Sequence, residues 1–105
     1  MDELVQRLSE GDHPIVANRY KSAQELQQAI ERGYVLLKFT DTRGGTELGV
    51  RLDSAATNLS GADFSQSTGI VHLVGHLTLN YVPVRHVADV DLVTLNGMGH
   101  LEILK

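Results

Sequence analysis

The segment GIVHLVGHLTLNYVPVRHVADVD, residues 69–91, decides how the C-terminal half of this chain folds. Apolar residues alternate with polar ones along 71–79 and again along 82–90, a period that is typical of strands with one buried face. A turn around Asn80 and Tyr81 brings the two runs into an antiparallel hairpin. Asn-Tyr is not a typical turn dipeptide, so a longer loop with Pro83 at its edge is the alternative, which would keep the faces but shift the pairs. The predicted pairs are Leu79 with Val82, Leu77 with Val84, Leu73 with Ala88, and Val71 with Val90.

A second hairpin is predicted immediately downstream. Asn96-Gly97 is the dipeptide most typical of a two-residue type I′ turn, because both residues tolerate left-handed backbone angles. Centring the turn there pairs Leu95 with Met98, Leu92 with Leu101, and Val90 with Ile103. Both hairpins give residues 88–92 the same inward face, and a slip of one residue would reverse that face.

Two helices are predicted near the N-terminus. The first is short, has one apolar face and would end at Gly11; its face is formed by Leu4, Val5 and Leu8. The second begins with the capping box of Ser22 and Glu25 and would end at Gly33. Its apolar stripe consists of Ala23, Leu26, Ala29 and Ile30.

A further hairpin and an edge strand complete the predicted elements. Residues 35–39 and 48–52 alternate, and a turn at Gly44-Gly45 between them pairs Phe39 with Val50 and Leu37 with Leu52. Pro14 lacks a backbone donor, so the extended segment around it is a possible edge strand. Residues 54–68 are small and polar, and they form either a working loop, such as a mobile flap, or a connection that hides a short element. A plain surface connection is the simpler interpretation.

This order of elements predicts the α+β class. We expect one domain over residues 1–105, with a five- to six-stranded curved antiparallel meander and one or two N-terminal helices packed on one of its faces. By analogy of element order alone, the architecture is cystatin-like or helix-grip-like. Such folds host binding proteins, inhibitors and enzymes alike, so the fold does not name a function.

Composition excludes several classes of function. The nine basic residues are scattered and the net charge is −4, so we expect no nucleic-acid binding. Without cysteine there is no disulfide, thiolate nucleophile or thiolate zinc ligand. The acidic N-terminus does not resemble a signal peptide and the apolar runs are short, so a cytoplasmic protein without membrane contact is expected. GGTELG has the wrong spacing for a dinucleotide fingerprint, and no cofactor is predicted.

Histidines provide the candidate metal ligands. His72 and His76 are four residues apart, which in a strand separates them by roughly 13 Å, so the pair cannot chelate one ion. In the predicted register His72 lies opposite Asp89, Asp91 opposite Glu102, and His100 opposite Val93. These residues could form a cation site or an acid–base patch on the outer face, with His72, Asp89, Asp91, His100 and Glu102 as candidate ligands. A solvated face is the simpler interpretation, so no metal site is predicted.

His86 differs from the other histidines because it faces the apolar side of the sheet, with Gly75 opposite. A histidine that is a satisfied part of the core would stay neutral and would need a hydrogen-bond partner. The alternative is a ligand-binding pocket between helix and sheet. His86 would then be its polar anchor beside Gly75, and Tyr34, Tyr81 or the 54–68 loop would close the mouth.

The outer face of the predicted sheet is partly apolar, since Leu36, Val74, Val87, Val93 and Leu104 lie on it. A mixed face of this kind suits packing against another subunit or partner. We therefore predict a small non-catalytic accessory or interaction protein that forms a homodimer or docks a protein partner through this face. The alternative is a small-molecule-binding protein or small enzyme that uses the His86 pocket. No nucleophile, base and orienting group can be assembled, so enzymatic activity is left open.

Overall fold

The computed structural model describes residues 2–104. In chain order, the elements of this part are α1 (Glu3–Leu8), β1 (His13–Val16), α2 (Ala23–Arg32), β2 (Tyr34–Phe39), β3 (Thr46–Leu52), β4 (Ala62–Asp63), β5 (Thr68–Leu79), β6 (Val82–Asp91) and β7 (Asn96–Ile103). Every strand pairing is antiparallel, which confirms the predicted α+β class.

Six of the strands close into a barrel. The order is β3-β2-β1-β7-β6-β5, and a short pairing between β3 and β5 completes the ring, while β4 adds to β5. The prediction that Pro14 lies in an edge strand is wrong, because β1 is bonded to β7 on one side and to β2 on the other. The Pro14 carbonyl accepts from the Thr40 amide at 3.1 Å, and Thr40 directly follows the last residue of β2, so the donor that Pro14 lacks is missing only at the end of that pairing.

The β5–β6 hairpin has the predicted register throughout. Leu79 lies opposite Val82, and the pairing continues unbroken to Ile70 and Asp91. Asn80 and Tyr81 adopt φ angles of 49° and 67°, as a type I′ turn requires. The cross-strand pairs His72–Asp89 and Gly75–His86 are therefore also confirmed.

The predicted turn at Asn96-Gly97 is wrong. Both residues belong to β7, and Val90 lies opposite Gly97 instead of Ile103, a displacement of six residues (97 to 103). The connection is residues 92–95, closed by a 2.7 Å hydrogen bond from the Leu95 amide to the Asp91 carbonyl, while the Asp91 carboxylate accepts from the Val93 amide. An aspartate that caps its own turn outweighs the local preference of Asn-Gly.

The β2–β3 hairpin is displaced in the same way. Val50 lies opposite Val35 instead of Phe39, a displacement of four residues (35 to 39). Gly44 and Gly45 both have positive φ, as predicted, but they occupy the end of a longer loop in which the Gly45 amide donates to the Thr42 carbonyl. Because both displacements are even, each strand keeps its predicted inward face.

The inward faces and the two helices form one core. Ser22 caps α2 by accepting from the Glu25 amide at 3.2 Å, and Gly33 ends the helix in the left-handed region with φ 81°. The helices bury Val5, Leu8, Ala23, Leu26 and Ala29 against the inward faces of the strands. Both predicted helices are confirmed, but α1 ends at Leu8, three residues before the predicted Gly11.

Residues 54–68 lie along the edge of β5. Asn58 exchanges both backbone hydrogen bonds with His72, and the Thr57 hydroxyl bonds the amide and carbonyl of Val74 at 3.2 and 3.1 Å. Further along, β4 pairs with the start of β5. The segment therefore hides a short element, one of the two possibilities that the sequence left open, and it covers a strand edge that would otherwise be unpaired.

Candidate functional site

His86 lies inside the barrel, with 1% of its surface exposed. Its ring centroid is 5.1 Å from that of Phe39, and neither ring nitrogen has a hydrogen-bond partner among the described residues. Burial, with a smaller contribution from the charge of His100, lowers the pKa of His86 to about 4. The side chain is therefore a neutral imidazole at pH 7, enclosed by apolar groups.

Gly75 lies opposite His86, as predicted. The group that approaches Gly75 closely is the backbone of β3, however, and not the imidazole. A β-carbon on Gly75 would overlap the carbonyl oxygen of Arg51 and touch Val50 Cγ1 at 2.5 Å. Gly75 is thus the residue that lets β3 reach β5 and close the barrel.

Neither tyrosine of the predicted pocket meets His86. Tyr34 is on the outer face beside Arg51 and is 49% exposed, whereas Tyr81 is fully exposed at the tip of the β5–β6 turn. The structure brings together His86 and Gly75 and leaves both tyrosines on the outside. A ligand-binding role for these four residues stays a prediction.

The acidic and histidine residues of the outer face form one pair and, apart from it, a row of three with a histidine in the middle. His72 Nδ1 lies 2.8 Å from Asp89 Oδ1, and His100 lies 3.1 Å from both Asp12 and Glu102. Asp91 lies opposite Asn96, so the predicted pairing of Asp91 with Glu102, like that of His100 with Val93, is wrong for the register reason given above. Across residues 2–104, no three such side chains are grouped closely enough to hold a metal ion.

The apolar residues of the outer face are divided between covered and exposed positions. Val74 is only 6% exposed, and Leu36 and Val87 are half-buried. At one end of the β5–β6–β7 face, Ile70 and Met98 are 53% and 46% exposed, and Val93, in the adjoining turn between β6 and β7, is 67% exposed. These three side chains form what we call the apolar end of the sheet.

Two further features had no clear counterpart in the sequence interpretation. An open groove follows the seam between β3 and β5, with Tyr34, Gly49, Arg51, His76 and Thr78 among its lining residues. The groove forms because β3 contacts β5, and the periodicity of a sequence does not reveal contacts between strands that are distant in the chain. The glycines within these strands were the only indication in the sequence that another group approaches them closely.

The second feature joins α1 and β1 to the β2–β3 loop. His13 Nδ1 lies 2.7 Å from Asp41 Oδ2, and Nε2 lies 2.9 Å from the carbonyls of Arg7 and Glu10. The hydrogen bond to Asp41 is the main reason that the pKa of His13 is raised. Since both nitrogens face acceptors, the protonated ring satisfies the site best.

Comparison with known proteins identifies the family of this chain. The sequence profile of the core binding factor beta subunit matches the chain over residues 1–105. The chain belongs to that family. A comparison with curated proteins gives no significant match.

The family is one of subunits, so this chain is an interaction or accessory protein that associates with a protein partner. In residues 2–104, no helix has both the length and the apolar character needed to cross a membrane.

Proposed function

We propose that this chain is a non-catalytic subunit that docks a different protein through the apolar end of the sheet, formed by Ile70, Val93 and Met98. The exposure of Ile70 and Met98 at one end of this sheet face, and of Val93 in the adjoining turn, is the observation that carries the proposal. Exposed apolar side chains at one end of a sheet favour burial against a partner.

Register explains how the apolar end is assembled. Ile70 of β5 lies opposite Asp91 of β6, and Met98 of β7 lies opposite Asp89 of β6. The two apolar side chains therefore flank the two carboxylates of the strand between them. The Asp89 carboxylate is held by His72 at 2.8 Å, and that of Asp91 caps the turn that carries Val93. Exposed apolar side chains beside polar groups that are held in place are the two kinds of group that a protein interface combines.

The test compares charged variants at two exposed apolar positions. Ile70→Asp and Met98→Lys place charges in the apolar end, while Tyr81→Asp places one at the fully exposed tip of the β5–β6 turn. Proteins captured by the wild-type chain are quantified, and the best candidate is purified and mixed with each variant in a calorimeter. We expect Ile70→Asp and Met98→Lys to weaken binding at least tenfold, and Tyr81→Asp to leave it unchanged.

Three outcomes would contradict the proposal. The purified partner could bind all variants equally, or no purified protein could bind the wild-type chain. Alternatively, sedimentation could show a homodimer that Ile70→Asp dissociates, which would assign the apolar end to a second copy of this chain.

A further inference from the structure

The seam of the barrel is only partly closed. Pairing between β3 and β5 consists of Arg51 with His76 and Leu52 with Gly75. Beyond these pairs both strands continue, β3 toward its N-terminal end and β5 toward its C-terminal end, without further pairing between them in residues 2–104. The strands diverge, and a groove of about 720 Å³ opens between them.

The β3 wall of this groove presents unpaired backbone groups. The Asp53 amide donates to the Val74 carbonyl at 2.7 Å, which shows that the odd-numbered residues of β3 direct their backbone groups toward β5. Because successive residues of a strand point to opposite edges, Glu47 and Gly49 direct their N–H and C=O groups into the groove. Within the described chain, β5 does not pair with either residue.

The β5 wall of the groove also presents unpaired backbone groups. His72 exchanges both backbone hydrogen bonds with Asn58, so even-numbered residues of β5 point toward the seam. By the same alternation, Thr78 directs its backbone groups into the groove, past the end of the β3 pairing. Two open strand edges therefore face each other, and such edges are templates for another strand.

The closed end of the groove is basic. Arg51 and His76 are cross-strand neighbours there, and in residues 2–104 no ion pair joins either side chain to a carboxylate. Glu47, at the other end, is engaged by Arg19 at 2.7 Å. The groove thus offers an unpaired guanidinium to whatever enters it, and a carboxylate is its complement.

We infer that this groove binds an extended segment of a protein partner, which adds as a strand to β3 and places an acidic side chain against Arg51 and His76. Backbone hydrogen bonds to Glu47 and Gly49 would supply affinity, and the carboxylate would fix the register. The inference is independent of the docking face proposed above, because the two surfaces share no residue.

The residues along β3 leave room for a narrow, extended segment of chain. Gly49 has no side chain, and the Tyr34 ring lies so close over it that a β-carbon there would overlap the phenol oxygen. The exposed face of this ring provides an apolar platform for one side chain of the entering segment. An extended segment of five residues, whose first and last Cα atoms are roughly 13 Å apart, would reach from Glu47 to Arg51.

The experiment uses a blocked peptide of alternating threonine and valine with one central glutamate. It is titrated into the full ¹⁵N-labelled chain, and amide shifts are followed by NMR. We expect the amides of Glu47, Gly49 and Thr78 to shift, with binding in the millimolar range. Replacing the glutamate by glutamine should weaken binding about fivefold, the size of one exposed charge-assisted hydrogen bond.

Matched controls separate strand addition from other binding. A peptide methylated on alternate backbone nitrogens, along the edge that would face β3, loses the donors of that edge while its side chains stay unchanged, so it should not bind. Arg51→Gln should abolish the preference for glutamate over glutamine. Arg85→Gln should not, because Arg85 is another exposed residue of the same face that pairs with Glu102 and lies outside the groove.

Several results would overturn the inference. They are an absence of shifts at millimolar peptide, equal binding of the methylated peptide, an equal effect of the two arginine variants, or shifts confined to Ile70 and Met98. Shifts of the Gly49 amide on dilution of the chain alone would assign the groove to a second copy of this protein.

Discussion

The rings of His86 and Phe39 lie 5.1 Å apart inside the barrel, and the imidazole has no hydrogen-bond partner in the described part of the chain. Burial disfavours the protonated form of His86 in the folded protein, so the pKa of His86 falls to about 4 from the ordinary 6.5. In the unfolded chain the histidine takes up a proton below pH 6.5. The free energy of unfolding must decrease as the pH falls from 6.5 to 4.

We predict that His86→Leu removes this acid sensitivity. Between pH 7 and pH 5 the wild-type chain should lose on the order of 2 kcal/mol from His86 alone, given its pKa of about 4. Leucine has a similar volume and leaves no polar atom unsatisfied. Urea unfolding of both chains at the two pH values measures the difference.

The control for this prediction is His76→Gln, which removes an exposed histidine from the outer face. It should keep the acid sensitivity of the wild-type chain. If His86→Leu lost as much stability between pH 7 and pH 5 as the wild-type chain, the imidazole would have to be solvated or hydrogen-bonded.

A second histidine is expected to act in the opposite direction. The bond from His13 to Asp41 raises the pKa of His13 in the folded chain, so its stabilisation is complete below pH 6.5 and is lost as the pH rises through the raised value. We predict that Asp41→Asn destabilises the protein by about 1–2 kcal/mol at pH 6 and by clearly less at pH 9. Urea unfolding at both pH values provides the measurement.

Asp89→Asn is the matched control for the His13 prediction. The His72–Asp89 bond is about as short, 2.8 Å against 2.7 Å, but both of its side chains are more exposed. Solvent screening should reduce the effect of Asp89→Asn to less than about 1 kcal/mol at either pH. Equal effects of the two substitutions would show that His13 is not held as a protonated ring.

Face assignment is the part of the fold that the sequence determined most firmly. Alternation fixes which side of a strand is apolar, so His86 was correctly placed inside and His72 outside. Register depends on the loop instead, and displacements of four and six residues preserve every face. The local turn preferences of Gly44-Gly45 and Asn96-Gly97 therefore predicted the wrong register for two hairpins, while the residues predicted to face the core stayed the same.

Of the candidate sites, those within one hairpin could be predicted and those between distant strands could not. The pairs His72–Asp89 and Gly75–His86 follow from a single turn. The seam groove needs β3 to meet β5, and no turn links these two strands. Gly75 signalled a close approach without saying which strand approaches, because glycine only creates the space.

The last prediction tests the corrected register of β7 through Gly97. Gly97 lies between Ile15 and Val90 in the sheet, and a β-carbon there would overlap the carbonyl oxygen of Asp89. We expect Gly97→Ala to lower the free energy of unfolding by about 2–3 kcal/mol, since β7 must move away from β6. The control is Gly44→Ala, in a loop position with φ +74° and no atom within 4 Å of the added carbon, which should cost only about 1 kcal/mol. Urea unfolding ranks the two variants, and an Asn96-Gly97 turn would make both substitutions similarly mild.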